Sequence, residues 1–136
     1  MADERNFGRS LLLVDGDIAF EDYDGNGRLR EVEGRANLLQ ALELRVLTPL
    51  GSDRFHTEYG LDYAQIFGSP EGLRMTKELI KLNLVRALAT DPRVAEIHEI
   101  RFLDDEKDAA RRKWTVEVEL ATVDASDVTL RVGIGA

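Results

Sequence analysis

Two stretches late in the chain alternate strictly between apolar and polar residues. Trp114, Val116, Val118 and Leu120 interleave with Thr115, Glu117 and Glu119, and Val128, Leu130, Val132 and Ile134 repeat the pattern after the turn residues Asp124-Ala125-Ser126-Asp127. Successive side chains of a strand point to opposite faces, so each stretch reads as a half-buried strand and the pair as an antiparallel hairpin. Ile97 to Leu103 reads as a further strand, followed by a charged hairpin tip from Asp104 to Lys113. A regular strand that finishes a chain is often an edge strand, with main-chain groups unpaired on one side. Val128 to Ile134 is therefore a candidate open edge; an internal, saturated position is the alternative.

Helices supply the second layer. Over Gly34 to Leu47, the residues Leu38, Leu39, Leu42 and Val46 fall on one stripe at 3.6 residues per turn, and Thr48-Pro49-Leu50-Gly51 stops the helix. Ser69-Pro70-Glu71 reads as a second helix start, with a capping hydroxyl, proline at the first helical position and an acid in the first turn. That helix is expected to run to about Thr90. It carries one apolar stripe of Leu73, Ile80, Leu84 and Leu88 and another, roughly opposite, of Met75, Leu79 and Leu82. Burial between two layers is the usual solution, so the sheet is expected to cover one stripe and the first helix the other; a partner protein over part of the second is the competing reading. Between the helices, residues 51–69 show no period and hold Phe55, Tyr59, Tyr63, Ile66 and Phe67, which suggests a loop pinned by aromatic anchors.

The first ten residues are polar and read as a flexible start. Leu11 to Val14 and Ile18 to Tyr23 read as short strands around the turn Asp15-Gly16-Asp17, with Asp24-Gly25-Asn26-Gly27 as a second turn and Leu29 and Val32 in one more strand. The expected fold is α+β. Two main helices pack on a small, mostly antiparallel sheet, with a β-hairpin at each end and residues 11–136 as one domain. At 136 residues the chain can bury a core without staples, and its lack of cysteine removes disulfides, thiolate metal sites and cysteine nucleophiles together. A net charge of −8 opposes a broad basic footprint for nucleic acid. The N-terminal apolar run, Leu11 to Val14, is far below the roughly 20 residues of a spanning helix, and the start lacks the pattern of a secretory signal. Both lead to the expectation of a cytosolic protein that does not insert in a membrane.

Few residues carry chemistry. Asp22 to Glu33 matches the calcium-loop spacing, with Asp22, Asp24, Asn26 and Glu33 as oxygen donors, but the flank Ile18-Ala19-Phe20-Glu21 reads as a strand where a helix is required. A β-turn explains the same residues. Glu58 and Asp62 lie beside Tyr59 and Tyr63, where a sugar could stack against a glycoside hydrolase's carboxylates, but with 26 acids in the chain nearby pairs are expected by chance. His56 and His98 have no partner at metal spacing, and His98 shares a strand face with Ile100 and Phe102 as a packed or rim residue. No serine elbow, P-loop or dinucleotide fingerprint is present. The expectation is no catalytic residue, no cofactor and no metal. Asp91-Pro92-Arg93 stops the second helix, and its guanidinium is placed to make forked bonds to a neighbour's carboxylate or carbonyls.

Asn37-Leu38-Leu39-Gln40-Ala41, Thr48-Pro49-Leu50-Gly51, Tyr59-Gly60 and Asp91-Pro92-Arg93, in that order and before two alternating strands, resemble the baseplate wedge and sheath-initiator family of contractile tails (the GPW family, with an old lysozyme-like label). The resemblance covers about residues 8–134. It implies a structural, non-enzymatic protein of a phage tail, a type VI secretion baseplate or an extracellular contractile injection particle. Its implied partners are baseplate wedge proteins and the first-ring sheath protein, with the inner tube or hub as a further candidate. In that family a Glu-Pro-Arg turn docks on the helical core of the wedge; here Asp91 replaces the glutamate, one methylene shorter, while Pro92 and Arg93 match. The family's C-terminal strands resemble the interlocking part of a sheath subunit, which assigns Val128, Leu130, Val132 and Ile134 to sheath contact by strand addition.

Overall fold

The computed structural model describes residues 7–21, 27–68, 72–103 and 113–135. Its elements run β1 (Arg9–Leu11), β2 (Leu13–Val14), β3 (Asp17–Ile18), β4 (Phe20–Glu21), β5 (Arg28–Leu29), β6 (Glu31–Glu33), α1 (Gly34–Leu47), α2 (Tyr63–Gly68), α3 (Leu73–Ala89), β7 (Val94–Phe102), β8 (Lys113–Thr122) and β9 (Asp127–Gly135). This is the α+β class that the periodicities imply, with antiparallel ladders throughout. The chain forms two compact units, Met1–Ala41 and Leu42–Ala136.

In the first unit six short strands form three two-stranded ladders: β1 pairs with β6, β2 with β3, and β4 with β5. They join where the Leu12 N–H donates to the Arg30 carbonyl (2.8 Å), the Ala19 N–H to the Leu12 carbonyl (3.0 Å) and the Arg30 N–H to the Ala19 carbonyl (2.9 Å). The β2–β3 reversal is the two-residue turn Asp15-Gly16, both at positive φ, the backbone that matches the twist of a hairpin. The polar start is held from Phe7 onward. Phe7 is buried, and the Asn37 amide donates to its carbonyl at 2.9 Å while accepting from the Ser10 hydroxyl. One turn further along α1, Gln40 donates to the Leu11 carbonyl (2.8 Å) and accepts from the Leu13 N–H (2.9 Å). Two amides three residues apart share a helix face, and here they satisfy strand groups that the short ladders leave over.

The second unit is built on the sheet β7-β8-β9. Trp114, Val116, Val118 and Leu120 are buried, as are Val128, Leu130, Val132 and Ile134, so the alternation in both strands marks one core face. On α3, Ile80, Leu84 and Leu88 are buried in agreement with the first stripe. The second stripe is largely left open among the described residues: Met75 and Leu82 are exposed (42% and 60%) and Leu79 is half-buried. Residues 51–69 are less irregular than their sequence suggests, because α2 forms there. Ile66 is buried, and Tyr63 stacks on Phe67, which leans on Trp114. Phe55, 85% exposed, anchors nothing. The helix start at Ser69-Pro70-Glu71 and the charged tip from Asp104 to residue 112 lie outside the described residues; α3 begins after Gly72, without a side-chain cap.

Candidate functional site

Three of the sequence pieces singled out above converge on one corner of the second unit. Gly60 lies at φ +108°, and a Cβ there would come within 2.2 Å of the Thr48 carbonyl oxygen, so only glycine fits. That approach lets the Leu61 N–H donate to Thr48 O (2.9 Å) and the Leu50 N–H donate to Leu61 O (2.7 Å), which ties Tyr59-Gly60 to Thr48-Pro49-Leu50. Tyr59 then lies under the Arg45 guanidinium, 4.6 Å from its ring centroid, and burial pushes the Tyr59 phenol above its ordinary pKa. Arg45 also donates to the Thr90 hydroxyl at 2.6 Å and stands 3.7 Å from the Asp91 carboxylate.

Asp91 is 1% exposed. Its Oδ1 accepts from the Arg93 backbone N–H and from Arg93 Nε, both at 2.9 Å, and its Oδ2 accepts from an Arg93 terminal nitrogen at 2.7 Å. Burial raises the pKa of this carboxyl, but the Arg93 hydrogen bonds and the two guanidinium charges outweigh it and hold Asp91 below the usual carboxylate range. The same pairing raises Arg93 against the opposing effect of burial. Asp91 is thus turned inward and fixes the direction of Arg93, whose side chain is 27% exposed; Pro92 is exposed between them. Beside this corner is a cavity of about 410 Å³ lined by Arg45, Phe55, His56, Thr57, Glu58, Tyr59 and Thr90. Sequence reasoning did not single out Arg45, since an arginine on the polar side of a helix gives no signal of the ring and carboxylate it will meet.

The second surface is the β9 edge. β9 ends the sheet order, and its register with β8 is unbroken from Lys113↔Gly135 to Ala121↔Asp127. The Thr122 N–H donates to the Ser126 carbonyl (2.8 Å), so even-numbered β9 residues exchange bonds with β8. By the same alternation the N–H and C=O groups of Thr129, Arg131 and Gly133 point away from β8. The opposite edge differs. β7 carries register shifts between Val94 and Glu96 and between Ile97 and Glu99, and its Arg101 is drawn to Glu117 (2.6 Å) and Glu119 (2.8 Å) of β8. Bulges and charges blunt an edge. At the Gly135 end of β9, Leu47, Pro49, Tyr63 and Phe67 join Gly133 and Gly135 around a cavity of about 450 Å³.

The remaining candidates are not drawn together. Asp22, Asp24 and Asn26 of the calcium-loop pattern lie outside the described residues; the flanks pair as strands, Phe20↔Leu29 and Glu21↔Arg28, and Glu33 sits exposed in β6 opposite Arg9. Glu58 lines the cavity beside Tyr59, whereas Asp62 caps α2 by accepting from the Gln65 N–H at 3.0 Å. His56 stands 3.4 Å from Asp53, and His98, 43% exposed, stands 3.5 Å from Asp127. Among the described residues no group of three or more His, Asp or Glu is placed to hold a metal ion, and no helix is long and apolar enough to cross a membrane.

A crystal structure of a protein from Geobacter sulfurreducens, provisionally named a tail lysozyme, shares the fold with a TM-score of 0.53 at 13% identity, over 74% of this chain and 88% of that one. No curated protein matches the sequence. A family model described as contractile injection system sheath initiator matches residues 10–125. Most of the chain lies inside that match, including the corner at Asp91 and the sheet's first two strands, and the chain accordingly belongs to the sheath initiator family, structural components of the contractile injection system baseplate.

Proposed function

We propose that this chain is a bridging part, held to the baseplate wedge through the corner of Asp91, Pro92 and Arg93 and receiving a strand of the first sheath ring along β9. The observation that carries the reading is the contrast between the two edges of one sheet. β7 is bulged and charged, whereas β9 is straight, in register over its whole length, and presents main-chain donors and acceptors at every second residue. Water satisfies such a row in the free chain, and an added strand can replace it with a main-chain bond at each of those positions. The family match ends at residue 125, before β9, so the sheath role rests on the edge itself. At the other surface Asp91 acts as a positioning residue. Its carboxylate holds Arg93 in a fixed direction beside an exposed proline, a short cationic knuckle suited to acceptors at a wedge helix end. Assembly in the cytoplasm, ahead of incorporation into a virion or an extracellular particle, belongs to the same reading.

Co-purification of the tagged chain with wedge and sheath proteins of the same particle tests it. Arg93→Ala is expected to lose the wedge and keep the sheath. Arg131→Pro is expected to do the reverse, because it removes an outward N–H that the β8 ladder does not use. Retention of both partners by both variants, each shown to be folded, would overturn the assignment.

A further inference from the structure

A ladder edge has a weakness as a recognition surface. The outward groups of Thr129, Arg131 and Gly133 repeat every two residues, so an incoming strand can slide in two-residue steps and still make most of its bonds. A partner that must seat in one register needs a side-chain key. We propose that the cleft at the Gly135 end of β9 is that key: a pocket for one bulky apolar side chain of the added strand, placed opposite Ile134. The inference deepens the strand-addition reading and rests on it.

Directly opposed residues in neighbouring strands share a face of the sheet. Ile134 is paired with Trp114, Trp114 is in contact with Phe67, and Phe67 stacks on Tyr63, so this is the face that carries the aromatic wall. A residue added opposite Ile134 points the same way, to where Leu47, Pro49, Tyr63 and Phe67 line the cavity. At about 450 Å³ it is within the size range of binding pockets, and none of its lining residues carries a charge. A charged visitor would lose water there and gain no partner, so the pocket selects an aliphatic or aromatic side chain. The wall is also preset. The Tyr63 hydroxyl donates to the Val46 carbonyl at 2.8 Å, while Leu47 keeps 48% of its surface exposed toward solvent. On the strand itself a Cβ at Gly133 would meet nothing within 4 Å, which leaves the approach open.

Binding of the full-length chain to the sheath subunit of the same particle, measured by biolayer interferometry, separates this proposal from the reading beneath it. Leu47→Glu, at an exposed position, is expected to weaken sheath binding at least tenfold with an unchanged melting temperature, and Arg131→Pro to abolish it. A benzophenone side chain installed at position 47 is expected to capture a leucine, isoleucine, methionine or phenylalanine of a sheath strand. If Arg131→Pro abolishes binding while Leu47→Glu binds like the wild type, the pocket is wrong and strand addition stands. Capture of a charged residue, or of a sheath segment that is not a strand, also overturns the pocket. If both folded variants bind like the wild type, or the wild type does not bind, strand addition falls and the pocket with it.

Discussion

Asp91 is the residue whose replacement most directly tests how the corner is built. Its carboxylate takes three hydrogen bonds from Arg93 and faces Arg45, at 1% exposure. Removing one member of a buried pair costs about 3–5 kcal/mol. Arg93 and Arg45 keep 27% and 17% of their side-chain surface, so water softens the loss, and Asp91→Ala is expected to cost about 2–4 kcal/mol. Asp91→Asn keeps the acceptor for the Arg93 N–H and Nε but loses the charge and meets Arg93 donor to donor, for about 1–2 kcal/mol. The pH dependence follows from the depressed carboxyl. A group held below its unfolded value of about 3.9 contributes stability above that pH and loses it as pH falls through the folded value. Urea unfolding from pH 7 to pH 2 is therefore expected to show wild type and Asp91→Asn separated at neutrality and converging below about pH 4. A gap under about 0.5 kcal/mol at pH 7, or one that persists undiminished in acid, would refute the clamp. Wedge binding adds a second readout: a clamp predicts that Asp91→Asn loses stability first, whereas a docking carboxylate predicts lost binding in a protein as stable as before.

Gly60→Ala is expected to destabilise by at least about 2 kcal/mol, since its Cβ meets the Thr48 carbonyl, whereas Gly51→Ala, also at positive φ but with open space around it, is expected to cost about 1 kcal/mol; denaturant midpoints compare the two. Leu82→Lys on the open face of α3 is expected to stay within about 0.5 kcal/mol of wild type, and Leu84→Ala, fully buried on the other face, to cost about 2–5 kcal/mol, both read by thermal unfolding. Leu130→Pro is expected to unfold much of the sheet and Arg131→Pro to leave it standing, because only the even residue donates to β8; circular dichroism distinguishes them.

Much of this fold is legible where periodicity is long. The stripe of Leu38, Leu42 and Val46 and the alternations of β8 and β9 state their buried faces outright, and the bounds of α1 follow from Gly34 that opens it and the Thr48-Pro49 stop after it. What escapes is set by single tertiary contacts. α2 has six residues, under two turns, too few for a period to show. The open face of α3 reads like a core face because Met75, Leu79 and Leu82 carry no mark of whether a neighbour exists. At the corner, the sequence presents Asp91-Pro92-Arg93 as a possible docking turn but not that Asp91 folds inward, since that depends on Arg45, forty-six residues earlier, arriving beside it. The β-type flanks of the Asp22 to Glu33 stretch were readable, and the pairing of β4 with β5 agrees with them.

The proposed strand addition sets opposed demands on the sheet: one edge must accept a strand, and the free protein must not pair with its own copies. The sheet answers them asymmetrically. On β7 two register shifts disturb the regular row of main-chain groups, and the side-chain cluster of Arg101 with Glu99, Glu117 and Glu119 adds charge beside it, both of which disfavour a second strand along that edge. β9 keeps its row intact, with Thr129, Arg131 and Gly133 offering bare or polar positions outward and the apolar residues Val128, Leu130, Val132 and Ile134 turned in. Self-pairing through β9 alone is edge-to-edge and symmetric, and it would bring together two copies that each carry a net charge of −8. Repulsion between copies weakens with salt, whereas a side-chain key opposite Ile134 does not. High ionic strength should then raise β9-dependent self-association of the free chain, measurable by sedimentation velocity and absent in Arg131→Pro, while leaving the preference for one sheath register unchanged.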